Sequence, residues 1–315
     1  MWVEHDITGL ELDGLSSITV GAFDGVHLGH RALIQQMVTT ARQHQMRSVV
    51  VTFDPLPGAV LNRQGYGQLC DLDDRIALIE AIGVTGTVVL PFDAEMMATS
   101  AADFVSLLTR HLALTELWIG PDFHLGRSRE GDAQYLKQLG VARGFEVRVF
   151  TRTVHWAGEP VRSSRIRRAL ESGDVEQANG CLGYPYRLTG VVEHGDKRGR
   201  ALGFPTANLR IPEGRLLPTN GVYVCRAQVE TVVYNAIANV GTRPTFNGHR
   251  PKVEAYLLDF SGELYGTPMR LDFLTRLRPE YRYATVDALI DQMQRDEAQA
   301  RQWLASHAGR RDAAA

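Results

Sequence analysis

The chain has 315 residues, of which 44% are hydrophobic and 22% charged, with a formal net charge of −2. That is the balance of a folded protein with room for two ordinary domains, and it argues against a disordered or collagen-like chain. A near-neutral charge argues against nucleic acid or a membrane surface as partner, and no obligate protein partner is evident.

Residues 1–15 are mixed polar and acidic, without the basic and then apolar order of a signal peptide. No run approaches the roughly 20 apolar residues that span a bilayer. Cys70, Cys181 and Cys225 are odd in number and far apart, so neither a disulfide framework nor a zinc site is expected. They read as small buried residues of a cytoplasmic protein.

The predicted strands of the first half are 17–22, 47–53, 86–92, 115–120 and 145–151. Between them lie amphipathic stretches. Leu33, Ile34, Met37, Val38 and Ala41 share one helical face, and 71–82, 101–111 and 132–143 repeat that pattern. Strands alternating with helices imply an α/β domain built on a doubly wound parallel sheet. After about residue 183 the texture changes to alternating runs at 222–229, 232–238, 252–260 and 269–274, as in an antiparallel barrel or sandwich. A closing helix follows, with Val286, Leu289, Ile290 and Met293 in phase and Trp303 and Leu304 continuing it. The expected domains are 1–183 and 184–308, jointed at 181–185, with a tail at 309–315.

Three segments of the first half carry chemistry. Gly21-Ala22-Phe23-Asp24-Gly25-Val26-His27-Leu28-Gly29-His30 falls where the first strand meets the first helix. Open parallel sheets bind ligands there, and glycines with helix-start N–H groups suit phosphate. His27 and His30 are placed to stabilise charge on a transferring group. The string lacks the lysine of a phosphate loop and the spacing of a dinucleotide fingerprint. Gly120-Pro121-Asp122-Phe123-His124-Leu125-Gly126 follows the fourth predicted strand, with Asp122 a candidate nucleotide contact. Arg162-Ser163-Ser164-Arg165-Ile166-Arg167 opens a helix-like run, where Ser163, Ser164 and Arg167 can converge on anionic oxygens.

Together these three segments resemble the nucleotidyltransferase domain of bacterial FAD synthetases. Ala22, Leu56 and Arg162 depart from that pattern, where the family usually carries Asn, His and Ser. The resemblance implies phosphate or nucleotide contacts at Gly21, Phe23, Asp24, Gly25, Gly29, Asp122, Ser163, Ser164 and Arg167, and catalysis by His27 and His30.

The densest signal is Gly195-Asp196-Lys197-Arg198-Gly199-Arg200-Ala201-Leu202-Gly203-Phe204-Pro205-Thr206-Ala207-Asn208. Its glycines and basic residues suit a flap over polyphosphate, with Gly195, Lys197, Gly203 and Pro205 as candidate contacts. Thr206 and Asn208, two apart on an extended segment, offer hard oxygen ligands of the kind magnesium takes. Further on, Glu254 and Tyr256 share one face of an alternating run while Val253, Ala255 and Leu257 take the other. Glu254 there is a candidate general base on an alcohol.

Residues from about 186 to 305 are similar to riboflavin kinases. The strings Gly203–Asn208 and Asn239-Val240-Gly241-Thr242-Arg243-Pro244-Thr245-Phe246 carry the resemblance. It implies a C-terminal antiparallel β-barrel with a terminal helix, magnesium-ATP on Thr206 and Asn208, and Glu254 activating the riboflavin hydroxyl. Both resemblances in this order imply an enzyme that takes riboflavin to FMN and FMN to FAD with ATP. Two rivals stay open at this level: a riboflavin kinase with an altered first domain, and a non-catalytic flavin-binding regulator.

Overall fold

The computed structural model describes residues 1–61, 66–195, 202–245 and 248–307, and only the backbone within 242–251. Lys197 and the 309–315 tail fall outside the described residues. The chain divides into two compact units, 1–162 and 163–315.

The first unit opens with β1 (Trp2–Glu4), β2 (Ser16–Val20), α1 (Leu28–Gln43), β3 (Arg47–Phe53) and the short α2 (Pro57–Val60). It continues with α3 (Leu72–Glu80), β4 (Gly86–Leu90), α4 (Ala94–Ala98), α5 (Ala101–Leu112) and β5 (Leu114–Ile119). It ends with α6 (Ala133–Arg143), β6 (Glu146–Val149) and the small ribbon β7 (His155–Trp156) and β8 (Glu159–Pro160). The six main strands are all parallel, in the order β1-β4-β3-β2-β5-β6.

Helix starts are written in side-chain oxygens. Asp71, Asp93, Ser100 and Asp132 each accept the backbone N–H three residues on, which caps α3, α4, α5 and α6. Every residue of β2 and β4 is buried, as central parallel strands require. The core runs through Ile18, Val49, Val88, Phe104, Leu108 and Leu117.

This strand order fixes the binding edge. From β2 the chain steps through β3 to β4 on one side, then returns past β2 to lay down β5 and β6 on the other. The order therefore reverses between β2 and β5, and a ligand crevice is expected outside their carboxyl ends. Those ends are Gly21 and Gly120, the starts of the first two chemical segments.

The second unit begins with α7 (Ser163–Ser172) and α8 (Val175–Leu182). Asn179 ties α8 to the strands behind it: its amide donates to the Phe273 carbonyl at 2.8 Å and accepts from the Tyr186 N–H at 2.6 Å. The unit boundary thus falls before this helical pair, whereas the change of sequence texture comes after it. Six strands close a barrel: β9 (Tyr186–Glu193), β10 (Ala207–Arg210), β11 (Gly221–Val229), β12 (Val232–Thr245), β13 (Gly248–Leu257) and β14 (Pro268–Arg278). They run antiparallel in the order β10-β13-β12-β11-β14-β9. The choice between barrel and sandwich resolves to a barrel.

One continuous helix, α9 (Val286–Ser306), covers part of the outer wall. Ala300, Trp303 and Leu304 pack there on Val222, Val224 and Leu274. Val286 is exposed, so the apolar seam begins later than its phase suggested. Asp296, buried in that seam, receives a bidentate pair from Arg278 at 2.9 and 2.7 Å. All three cysteines are buried and none forms a disulfide.

Candidate active sites

The first site is a backbone turn held from two sides. Phe23 takes a left-handed conformation, with φ 45°, and folds its ring over Gly21. A Cβ at Gly21 would lie 3.0 Å from that ring. Gly25 also has positive φ, at 76°. Asp24 is 2% exposed and faces inward. Its Oδ1 accepts the backbone N–H groups of Leu69 and Cys70 at 2.9 and 3.3 Å. The Gly25 N–H donates to Cys70 Sγ at 3.0 Å. Asp24 thus holds the loop to the segment before α3, a structural position that its place in the string did not disclose.

His27 is the N-cap of α1, and its Nδ1 accepts the His30 N–H at 3.3 Å. That acceptor role leaves the ring proton on Nε2. His30 stacks on His27 with centroids 3.6 Å apart and planes 16° from parallel, and meets the edge of Phe23 at 5.2 Å. Burial, and then the neighbouring His27 ring, hold His30 well below the usual histidine range. His30 is therefore a neutral imidazole, a hydrogen-bond donor or acceptor and not a cation. A Cβ at Gly29 would sit 3.1 Å from the His27 ring, so glycine makes room for it.

Asp122 is exposed in the loop after β5, and its carbonyl meets His124 Nδ1 at 3.1 Å. The strand order therefore brings the Gly21–His30 loop and the Asp122 loop to one edge. Ser163, Ser164 and Arg167 stand in α7 of the second unit.

Arg75 was not singled out by motif. It is 1% exposed, and its Nη1 donates to the Ala22 carbonyl at 3.1 Å. Its Nη2 lies 3.6 Å from Asp54. Leu56, one of the departures, is fully buried and packs as an apolar residue.

The second site is a row across the barrel wall. The ladder sets Asn208 of β10 directly opposite Glu254 of β13, and Glu254 opposite Asn239 of β12. Val253, Ala255 and Leu257 are buried, while Glu254 and Tyr256 take the other face. Asn208 shares that row with Glu254, flanked by buried Ala207 and Leu209. Glu254 pairs with Lys252, two residues back on the same face. The alternating run by itself does not disclose this ammonium partner. No spacing rule points to it, because it follows from side-chain reach along the strand.

Gly203 has φ 86°, which turns the chain so that Phe204 packs edge-on to Tyr256 at 5.3 Å. A Cβ at Gly195 would lie 2.1 Å from Asn208 Nδ2 and 2.7 Å from Oδ1. The Asn208 amide occupies that cradle. A cavity of about 310 Å³ opens beside it, lined by Gly195, Pro205, Thr206, Asn208, Glu263 and Tyr265 among others. Among the described residues no cluster of three His, Cys, Asp or Glu offers a metal cage. A hydroxyl and an amide oxygen beside a cavity fit a magnesium ion that keeps waters and phosphate oxygens.

Comparison with known proteins agrees with this division. A family model described as FAD synthetase matches residues 11–165, and one described as riboflavin kinase matches 182–304. The bifunctional riboflavin kinase/FMN adenylyltransferase of Listeria monocytogenes is 35% identical over 309 residues, covering 97% of this chain and 98% of that protein. The protein of the same description from Escherichia coli strain K12 is 35% identical over 290 residues, covering 91% and 92%. A solved structure described as a macrolide-efflux protein from Streptococcus pneumoniae shares the fold end to end. Its TM-score is 0.86 at 29% identity, over 96% of this chain and 98% of that one. Among the described residues of this chain no helix is long and apolar enough to cross a membrane.

Proposed function

The chain belongs to the family of bifunctional riboflavin kinases/FMN adenylyltransferases, and from that membership we propose how its residues divide the two reactions. The enzyme phosphorylates riboflavin to FMN with ATP, and adenylates FMN to FAD with a second ATP, releasing pyrophosphate.

Kinase chemistry belongs to the barrel. Glu254 takes the proton of the riboflavin 5′-hydroxyl as that oxygen attacks the γ-phosphorus of ATP and ADP leaves. Lys252 holds the Glu254 carboxylate in place. Thr206 and Asn208 would hold magnesium with the nucleotide, and the metal would supply charge neutralisation to the phosphates. Gly195 and Pro205 line the cavity and Gly203 turns the chain before Phe204, while by motif Lys197 contributes a phosphate contact. The observation that carries this reading is the register that faces Asn208 with Glu254.

Adenylyl transfer belongs to the 21–30 loop. An FMN phosphate oxygen attacks the α-phosphorus of ATP and the bond to pyrophosphate breaks. His27 and His30 serve as neutral N–H donors to the oxygens that gain charge. Gly21, Phe23, Gly25 and Gly29 shape the turn, Asp24 anchors it, and Asp122 contacts the nucleotide. By motif, Ser163, Ser164 and Arg167 contribute to the same reaction. The functional modules are therefore 1–183 and 184–308, followed by the tail. Flavins and ATP are the partners, and three buried, unbridged cysteines support a reducing cytoplasm.

Incubation with riboflavin, ATP and magnesium, followed by separation of the flavins, tests the whole reading. FMN is expected first and FAD after it. FMN alone would remove the second activity from this chain, and an absence of both would remove the reading.

A further inference from the structure

We propose that Arg75 is a positioning residue of the adenylyl-transfer site, acting through the Ala22 carbonyl on the stacked histidines. The inference rests on the assignment of His27 and His30 to that reaction. Arg75 is walled off from solvent at 1% exposure. Its partners do not suit a purely stabilising role. Asp54 lies at 3.6 Å with its side chain 47% exposed, and among the described residues the buried Arg75 Nε has no hydrogen-bond partner. A buried cation matched this loosely is poor for stability, and apolar replacements of such groups are often neutral or better.

What Arg75 does reach is the turn. The Ala22 carbonyl receives Arg75 Nη1 at 3.1 Å and Thr52 Oγ1 at 3.2 Å. Two donors on one oxygen fix the Ala22–Phe23 peptide plane. The next residue, Phe23, needs that restraint, because a non-glycine at φ 45° is held only by its surroundings. Phe23 then abuts His30, and His30 stacks on His27. The path from Arg75 to the histidines is a series of contacts within one unit, and α3 supplies its rigid end.

The test uses the full chain with Arg75→Met, Arg75→Lys and Thr52→Val. Steady-state conversion of FMN to FAD is measured against ATP and FMN, with riboflavin phosphorylation by the same protein as internal control. Arg75→Met is expected to lower the adenylyl-transfer kcat on the order of 100-fold, the scale of an ångström-sized misplacement, with the KM for ATP little changed. Arg75→Lys retains a donor and is expected to recover much of that loss. Thr52→Val removes the second donor and is expected to lower kcat by roughly fivefold. Kinase turnover stays at the wild-type value in all three.

A rise in the KM for ATP with unchanged kcat would overturn positioning in favour of direct phosphate binding. Wild-type kcat in Thr52→Val would overturn it as well, and that variant decides the matter if Arg75→Met fails to fold. His27→Ala separates the two levels. If it leaves FAD formation intact, the site reading itself fails. If it abolishes FAD formation while the Arg75 and Thr52 variants are silent, only the present inference falls.

Discussion

The two units position their proposed sites by opposite means. In the α/β unit the proposed catalytic groups sit on a turn beyond a parallel strand, and a turn has no ladder to fix it. It is held by side chains from elsewhere: Asp24 to the Leu69 and Cys70 backbone, and Arg75 and Thr52 on the Ala22 carbonyl. In the barrel, Asn208 and Glu254 sit on paired strands, and backbone hydrogen bonds alone set them opposite one another. A site on a turn depends on distant residues, whereas a site on a ladder depends on register.

Substitutions break or sharpen that contrast. The largest effect is expected from Glu254→Ala, which should lower FMN formation by about 10²- to 10⁴-fold, the usual share of a general base. Conversion of supplied FMN to FAD should persist, as seen by chromatography of the flavins. His27→Ala should do the reverse, with a loss on the order of 10²- to 10³-fold in FAD formation alone. Loss of both activities in either folded variant would contradict two separate sites.

Asp296→Ala tests the barrel's support. It leaves the Arg278 guanidinium beneath α9 without its carboxylate and should cost about 3 kcal/mol in urea unfolding. Gly195→Ala pushes a Cβ into the Asn208 amide, and a 10- to 100-fold weaker apparent magnesium-ATP affinity is the expected scale for a displaced supporting group. Titrating kinase rate against magnesium-ATP reads that directly, and an unchanged KM would remove Asn208 from the metal assignment.

The smallest effect is with pH. The folded His30 pKa lies below its unfolded value of about 6.5, so between the two the unfolded chain binds more protons. The stability His30 contributes is complete above about pH 6.5 and is lost as pH falls through the folded value. His30→Gln should flatten the acid side of the stability profile measured by urea melts. An unchanged slope would show that His30 is not held neutral.

Much of this was legible beforehand, for reasons of chemistry. The strand 47–53 was readable because its run is apolar and β-branched. The histidine and glycine loop was readable because so many constrained residue types stand together. The facing of Asn208 and Glu254 was not, because register across 45 residues of intervening chain is a tertiary fact. Arg75 and Lys252 escaped for the same reason: each is an ordinary basic residue until the fold buries one under Ala22 and lays the other on Glu254. β1 escaped because three residues carry no period, and only its pairing with β4 makes it a strand. The tie of α8 to the barrel was hidden because Asn179 makes it through contacts that composition does not display.

The brevity of β10 has a dynamic consequence. It is a four-residue stave, joined to β9 and β13 by three register pairs each, whereas β11 matches nine residues of β12. The barrel is therefore sealed at its shortest seam, and amide protons there should exchange with solvent sooner than those of β11. That seam also carries Asn208. A nucleotide bound across it would act as a clasp, slowing exchange in β10 and raising the melting temperature of the barrel, so that the substrate completes the wall that receives it.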